Sequence, residues 1–210
     1  MKETFLAKFF YTFPLAYQIG DALVHFPDLG FKRFSQIDIL PRDGLTLELA
    51  CGTGRSSRIF KGKQLTVVNL DINKAFVAYG KKTGRLSNPV VGSAYGLCFR
   101  ENVFDQIIIP DAFHHLLDHE QVFKECRRIL KPGGEFIIFD IVSRKKGPNK
   151  IVNHFADGII WIMDHSFFVK KINDLAAAHG FMLRDVKTKQ GKTIMGLIGG
   201  IDIQAKLVKQ

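Results

Sequence analysis

Residues 48–54, Glu-Leu-Ala-Cys-Gly-Thr-Gly, form a glycine-rich turn directly after an apolar run. Glycine lacks a Cβ atom, so the backbone at Gly52 and Gly54 can turn sharply and lie close to a bound molecule. A helix that begins after such a turn offers unpaired N–H groups to the same molecule. The pattern predicts a ligand-binding loop, and it leaves open which nucleotide the loop would hold.

Two acidic residues at the ends of successive apolar runs narrow the choice of ligand. Glu48 precedes Gly52 by four residues, and a carboxylate there can hold an ammonium group directly or through water. Asp71 follows Gly54 by 17 residues, where a carboxylate can accept from both hydroxyls of a ribose. A dinucleotide fingerprint would need a glycine at position 57, which is Ser57, so a dehydrogenase is disfavoured.

Histidines follow the apolar run at 104–109, where ligands bind in parallel sheets. Imidazole titrates near neutral pH, which makes His115 the first candidate for a general base or acceptor contact and His114 the second. Loop histidines with structural hydrogen bonds are the alternative interpretation. Asp111 and His165 are weaker candidates, and His119 is expected to begin a helix.

Alternating strand-like and helix-like segments predict an α/β fold with a largely parallel sheet. Apolar residues at i, i+4, i+7 and i+8 predict a helix from Val122 to Leu130, which ends at the Lys131–Gly134 turn. A second helix is predicted from an N-cap at Ser166 to His179, with Gly180 as its terminator. The predicted strands are Leu45–Ala50, Leu65–Leu70, Phe104–Ile109, Phe136–Ile141, Met182–Thr188 and Ile201–Val208.

Two segments are candidates for covering a site. Residues 1–40 are rich in aromatic side chains and are expected to form a helical lid, or else a helix packed on the core. Lys8, Lys32 and Arg33 flank apolar residues there, so shallow insertion into a membrane surface is a further alternative. Residues 143–165, which contain Trp161, are expected to be an inserted lid or a plain connecting helix.

Length and composition bound the rest. A chain of 210 residues has room for one full core, so we expect a single domain over residues 1–210. The net charge of +10 favours RNA, an acidic membrane surface or an acidic metabolite as partner, or serves solubility alone. Cys51, Cys98 and Cys126 lack metal-site or disulfide spacing, so we expect no metal and a reducing cytoplasm. No signal peptide or transmembrane span is expected.

Residues 40–142 resemble the class I (Rossmann-like) S-adenosylmethionine-dependent methyltransferases, and within them the small-molecule ubiquinone/menaquinone-type group. The matching motifs are Leu45–Gly54, Asp71-Ile72, Gly92–Phe99, Phe104–Ile109 with His114–Leu116, and Arg128–Gly134. The resemblance implies S-adenosylmethionine as cofactor and a doubly wound, mostly parallel seven-stranded sheet. Its strand order would be 3-2-1-4-5-7-6, with the last strand antiparallel and helices on both faces.

The resemblance also implies the cofactor-binding residues. They are Tyr17, Glu48, Ala50, Cys51, Gly52, Thr53, Gly54, Asp71, Ile72, Ser93, Ala94 and Pro110. The sequence departs from the family pattern at Ala50, where glycine is usual, and at Ser93, where aspartate is usual. Serine is a weaker acceptor than a carboxylate, so we expect a reduced affinity at the adenine end.

The leading functional hypothesis is methyl transfer to a small, apolar or ring-bearing acceptor such as a lipid or quinone, by a monomer or homodimer. An RNA methyltransferase is the alternative that the charge favours. Residues 110–113, Pro-Asp-Ala-Phe, lack the Asn/Asp-Pro-Pro-Tyr pattern used on planar amino groups, and no appended basic module is visible. A non-catalytic module that binds S-adenosylmethionine is the third hypothesis.

Overall fold

A seven-stranded sheet organises the chain in the computed structural model, which describes residues 12–17, 19, 32–39, 43–143, 150–151, 160–161, 165–189 and 200–210. Its strands are β1 (Leu45–Leu49), β2 (Thr66–Asp71), β3 (Asn88–Val91), β4 (Phe104–Pro110), β5 (Leu130–Ser143), β8 (Phe181–Lys189) and β9 (Gly200–Lys209). Two short strands, β6 (Lys150–Ile151) and β7 (Ile160–Trp161), pair separately. The remainder of the proposed insert at 143–165 and most of the proposed lid at 1–40 lie outside the described residues.

The strand order is β3-β2-β1-β4-β5-β9-β8. Strands β1 to β5 pair in parallel, and β9 pairs antiparallel with both β5 and β8. Strand β9, the seventh strand of this sheet in chain order, therefore lies between β5 and β8, which confirms the predicted order 3-2-1-4-5-7-6. The carboxyl ends of β1, β2 and β4 all reach the same edge of the sheet, here called the carboxyl edge.

Side chains alternate along β4 and β5 and so divide the core between the two faces of the sheet. Ile107 and Ile109 face one apolar cluster with α2 (His119–Ile129) and α3 (His165–Ala178), and Ile108 faces the other. The 3-10 helices Lys32–Gln36 and Ser56–Phe60 contribute Phe34 and Phe60 to the second cluster. Helical segments thus cover both faces, as the strands' unbroken apolar runs require.

The predicted helix ends are confirmed to within a few residues. Helix α2 ends at Ile129, but the chain enters β5 immediately, and Lys131–Gly134 is an irregular stretch within that strand, with Gly133 at φ 73. Helix α3 begins at His165, so Ser166 lies in its first turn and is not its N-cap. Gly180 follows α3 at φ 64, as a helix terminator should.

Strand β3 and helix α1 (Lys74–Lys82) were not predicted. Asn73 caps α1, and its side chain accepts from the backbone N–H groups of Ala75 and Phe76. In the part of the chain that the structure describes, no helix combines the length and apolar character needed to cross a bilayer.

Candidate functional site

A cleft of about 470 Å³ opens at the carboxyl edge, between the ends of β1, β2 and β4. This volume lies within the range of small-molecule sites. Twelve predicted residues line it: Tyr17, Ala50, Cys51, Gly52, Thr53, Asp71, Ile72, Ser93, Ala94, Pro110, His115 and the weaker candidate Asp111. Glu48, Gly54 and His114 do not line it.

The loop after β1 turns into the cleft through two residues with left-handed backbone. Gly52 has φ 54 and faces open space, since a Cβ placed on it would meet no atom within 4 Å. Ala50 has φ 59, a conformation that costs a residue with a side chain about 1–2 kcal/mol. The position where the family pattern has glycine is thus one where the backbone favours glycine, and Ala50 holds it under strain.

Glu48 is not available to a ligand, so the prediction that it holds an ammonium group is corrected. Its side chain is fully buried beneath the loop, where it accepts hydrogen bonds from Ser56 Oγ at 2.6 Å, Ser57 Oγ at 2.5 Å and Asn69 Nδ2 at 2.6 Å. Burial raises the pKa of Glu48, and the three donors oppose that rise. Glu48 therefore anchors the Ser56–Phe60 helix to β1 and β2.

Gly54 is also corrected from a ligand contact to a packing residue. A Cβ at this position would lie 2.8 Å from Arg85 Cβ and 2.8 Å from Leu86 Cδ2. Its φ of 79 excludes most other residues as well. Gly54 lets the loop pack against the turn that precedes β3.

Asp71 ends β2 and faces the cleft. Its Oδ2 accepts from Gly52 N at 2.7 Å, and its Oδ1 accepts from Asn73 N at 2.8 Å. Burial raises the pKa of Asp71, against the effect of these backbone donors. One carboxylate thus fixes the glycine loop and the start of α1, and it remains exposed to the cleft.

At the end of the cleft next to β2 and β3, which we call its far end, the lining comes from the segment after β3 and from Tyr17 near the N-terminus. Ser93 Oγ accepts from Tyr95 N at 3.2 Å, which orients the Ser93 hydroxyl within its own turn. Ile72 is 71% exposed. The ring centroid of Tyr17 lies 4.8 Å from that of Phe76, which brings Tyr17 over this end of the cleft.

Asp111 connects three distant parts of the chain at the end of the cleft next to β4, which we call its near end. It has φ 57, and its backbone N–H donates to Phe139 O at 2.6 Å. Asp111 Oδ2 accepts from Arg33 Nη1 at 2.8 Å and from Arg55 Nη2 at 3.1 Å. Arg33 Nη2 also lies 2.7 Å from Asp202 Oδ1, so Arg33 forms ion pairs with two carboxylates.

Arg33 is buried, which corrects the prediction that it flanks a membrane-inserting segment. Its guanidinium lies 5.4 Å from the ring centroid of Phe34 and 5.3 Å from that of Phe139. The Arg55 guanidinium also lies over the Phe34 ring, 5.1 Å from its centroid. The sequence analysis placed neither arginine at the site, because nothing local marks a cation whose carboxylate partner lies 56 residues away or more.

The adjacent histidines have different environments. His114 Nδ1 lies 2.6 Å from Asp140 Oδ1, and its backbone N–H donates to Asp140 Oδ2 at 3.0 Å. Burial lowers the pKa of His114, but the Asp140 carboxylate outweighs it and the pKa is raised. His115 lines the cleft, with its ring centroid 4.0 Å from that of His114. Desolvation in the recess, and then His114, lower the pKa of His115.

Asp111, His114 and Asp140 also form the one set of three candidate metal-ligand atoms found within the described residues, all within 4.8 Å of one another. Arg33 already forms an ion pair with Asp111 at 2.8 Å. The guanidinium therefore supplies the positive charge that a metal ion would bring. Among the weaker candidates, His119 begins α2 as predicted, with its Nε2 3.1 Å from Phe113 O, and His165 begins α3.

A methyltransferase domain model matches residues 47–138. The chain is 31% identical over 128 residues to demethylmenaquinone methyltransferase of Thermotoga maritima, an alignment that covers 59% of this chain and 56% of that protein. It is 30% identical over 172 residues to ubiquinone/menaquinone biosynthesis C-methyltransferase UbiE of Haemophilus ducreyi, covering 76% of this chain and 66% of that protein. The chain thus spans little more than half of the Thermotoga protein.

Among solved structures, the fold is similar to that of geranyl diphosphate C-methyltransferase from Streptomyces coelicolor, solved with Mg²⁺, geranyl diphosphate and S-adenosylhomocysteine. The TM-score is 0.64 at 14% identity, over 80% of this chain and 74% of that one. The matched domain runs from Leu47 within β1 to Ile138 within β5 and includes the glycine loop and Asp71. Together with the strand order, the domain match shows that residues 47–138 form a methyltransferase domain with the class I (Rossmann-like), S-adenosylmethionine-dependent fold.

Proposed function

We propose that the chain binds S-adenosylmethionine in the cleft and transfers its methyl group to a small, apolar or ring-bearing acceptor of the quinone or lipid class. The observation that carries this proposal is the lining of the cleft. The glycine loop and Asp71 share one cleft with Phe34, Arg55 and His115. The quinone methyltransferases to which the chain is similar support the acceptor class.

The residues of the loop fit the cofactor. We propose that the backbone of Ala50 to Thr53 holds the methionine part, that Asp71 accepts from the ribose hydroxyls, and that Ser93 and Ala94 contact the adenine. Ile72, Pro110 and Tyr17 would line its path. When bound, the cofactor supplies a methyl group already activated on a sulfonium. The open space at Gly52 and the carboxylate that faces it support this assignment.

The cationic end of the cofactor needs an acceptor other than Glu48. Asp71 and Asp111 are the acidic residues among those that line the cleft, one at each end. The carboxylate of Asp111, whose position Arg33 and Arg55 fix, is therefore the proposed electrostatic partner of the positive charge. As in the sequence prediction, a carboxylate compensates the positive charge of the cofactor, but the carboxylate is that of Asp111 and not that of Glu48.

His115 is the proposed contact to the acceptor. Its lowered pKa keeps the imidazole neutral near pH 7, so a ring nitrogen can accept a hydrogen bond from the acceptor and orient it. The methyl–sulfur bond breaks as the oxygen or carbon of the acceptor gains the methyl group, and the proton of the acceptor is released to solvent, because desolvation makes the His115 imidazole a weak base. His114, which Asp140 holds, would position the His115 ring through the contact between the two imidazoles.

We also propose that the rim of the cleft contacts a lipid surface, which would supply an apolar acceptor. Large apolar side chains are exposed on the segments that border the cleft: Phe13, Leu15, Ile19, Ile72 and Leu117. Grouped exposed apolar side chains are typical of interaction sites. Replacing Leu15 and Leu117 by serine should reduce co-flotation of the protein with phosphatidylcholine vesicles, whereas unchanged flotation would refute this contact.

Two measurements test the proposal. Calorimetric titration with S-adenosylhomocysteine should show binding that Asp71→Asn weakens at least about tenfold. The control Asp174→Asn, at an exposed residue of α3, should leave the affinity unchanged. Labelled methyl from S-adenosylmethionine should then pass to demethylmenaquinol in detergent micelles. Absence of titration heat would overturn the function, and transfer to RNA in place of the quinol would overturn the acceptor class.

A further inference from the structure

The positive charge of the chain is concentrated in one quarter of its sequence. Residues 51–100 contain nine Lys and Arg residues and one acidic residue, Asp71, so they carry +8 of the total net charge of +10. Asp71 lies in the cleft at the carboxyl end of β2. It is therefore at the far end of the strand from the basic side chains that precede β2.

Five of these residues form what we call the basic face: Lys61, Lys63, Lys81, Lys82 and Arg85. The lysines are exposed, and Arg85 is partly buried. Lys61 and Lys63 belong to the turn before β2, Lys81 and Lys82 end α1, and Arg85 belongs to the turn before β3. The four lysines therefore lie toward the amino ends of β2 and β3, away from the cleft, whereas Arg85 packs against Gly54 of the glycine loop.

Hydrogen bonds bring these three segments together, and the first, from Arg85 N to Gly80 O at 2.9 Å, joins the end of α1 to the turn before β3. Asn88 Nδ2 donates to Val67 O at 2.7 Å, and Ser87 N donates to Asn69 Oδ1 at 2.9 Å, which ties the turn before β3 to the start of β2. None of the five basic residues forms an ion pair with an acid in the described part of the chain. Asp43 borders the face, since its backbone N–H donates to Gln64 O.

The composition of the basic face selects the chemistry of its partner. A membrane-binding surface combines basic residues with apolar side chains that insert, yet the exposed large apolar residues among those that the structure describes lie on other segments. Lysine is depleted in the cores of protein interfaces. Lysines without inserted apolar groups are instead suited to phosphates, whose binding releases counterions.

We infer that the basic face binds the phosphate backbone of a nucleic acid, independently of the cleft. The face would recognise the charge of such a partner and not its bases. Base recognition commonly uses aromatic side chains, and Tyr79, whose ring centroid lies 5.6 Å from the Arg85 guanidinium, is the one aromatic residue with a described contact to the face. Nucleic acid bound there lies at the edge of the sheet opposite the cleft. It would therefore localise the protein and would not present a base for methylation.

Fluorescence anisotropy with a labelled single-stranded oligouridylate tests this inference on the full chain. Wild type should bind the RNA, and Lys61, Lys63, Lys81 and Lys82 changed together to Glu should weaken binding at least about tenfold in low salt. The slope of log affinity against log salt should become shallower by about 0.7 for each phosphate that the variant no longer neutralises. The charge-matched control changes four lysines and arginines elsewhere to Glu: Lys124, Lys170, Arg184 and Lys189.

Three results would overturn the inference: no RNA binding by wild type, an equal loss of RNA binding in the control variant, or loss of binding to phosphatidylserine vesicles with RNA binding unchanged. Titration of both variants with S-adenosylhomocysteine reports whether they are folded. It also separates this inference from the proposed function, because the basic face does not line the cleft.

Discussion

The guanidinium of Arg33 lies 2.8 Å from the carboxylate of Asp111, and this ion pair is almost completely withdrawn from solvent. It joins the 3-10 helix before β1 to the end of β4. Asp202 on β9 is the second carboxylate that pairs with Arg33. Breaking a buried pair leaves a charge without compensation, which is costly in a poorly solvated site.

Arg33→Ala should therefore lower the free energy of unfolding by about 3–5 kcal/mol. Urea denaturation measures this loss. The control is Lys187→Ala, which removes the more exposed pair with Asp38 and should cost at most about 1 kcal/mol. Equal losses in the two variants would show that the Arg33 pair is worth no more than a surface pair.

Ala50→Gly should increase stability by up to about 1 kcal/mol, because glycine adopts the left-handed conformation of Ala50 without a Cβ penalty. The matched control is Ala75→Gly in α1, where the backbone is helical and the same change should cost about 1 kcal/mol. Opposite signs in thermal unfolding are the expected result. A loss at both positions would contradict the strain assigned to Ala50.

Glu48→Ala should lower the free energy of unfolding by at least about 2 kcal/mol, since it leaves the buried donors of Ser56, Ser57 and Asn69 without their acceptor. Its effect on S-adenosylhomocysteine affinity should be smaller than that of Asp71→Asn. Urea denaturation and calorimetry on both variants separate stability from binding. A larger loss of affinity in the Glu48 variant would restore Glu48 as a ligand contact.

The pair of His114 and Asp140 should make stability depend on pH. Because the pKa of His114 is raised in the folded state, its contribution is complete below the unfolded value and is lost as pH rises through the folded value. The stability difference between wild type and His114→Gln should therefore shrink from pH 6.5 upward, by at most about 1.4 kcal/mol per pH unit.

His115→Gln provides the opposite control for that experiment. The pKa of His115 is lowered on folding, so its neutral form is favoured and wild type loses stability as pH falls below the unfolded value. The two variants should thus diverge from wild type in different pH ranges. Parallel curves for both would contradict the environments described for the two imidazoles.

The sequence predicted the sheet well because its strands are buried on both faces and read as continuous apolar runs. Ile107, Ile108 and Ile109 face two different clusters, so no alternation was needed to recognise β4. Strand β3 escaped notice because it is short and partly exposed. The cap residue Asn73 was the available signal for α1.

The sequence predicted the site residues that lie close to a strand end in the chain, and it missed those whose partners are distant in sequence. Gly52 lies in the loop just after β1 and Asp71 ends β2, and the structure brings them within hydrogen-bonding distance. Glu48 was predicted to contact the ligand, but side chains alternate along a strand. Leu49 lines the cleft, so Glu48 points to the opposite face of the sheet. Arg33 and Asp202 reach Asp111 only through the completed sheet, so no sequence window contains that relationship.

The position of Asp202 in the chain has a kinetic consequence. Arg33 is made early, Asp111 midway and Asp202 late, yet all three charges meet in one buried site. Until β9 inserts between β5 and β8, the Arg33 guanidinium lacks one of its two carboxylates. Folding rates fall as contacts join residues farther apart in sequence. The near end of the cleft should therefore be the slowest part of the molecule to mature, completed only after residue 202 has left the ribosome.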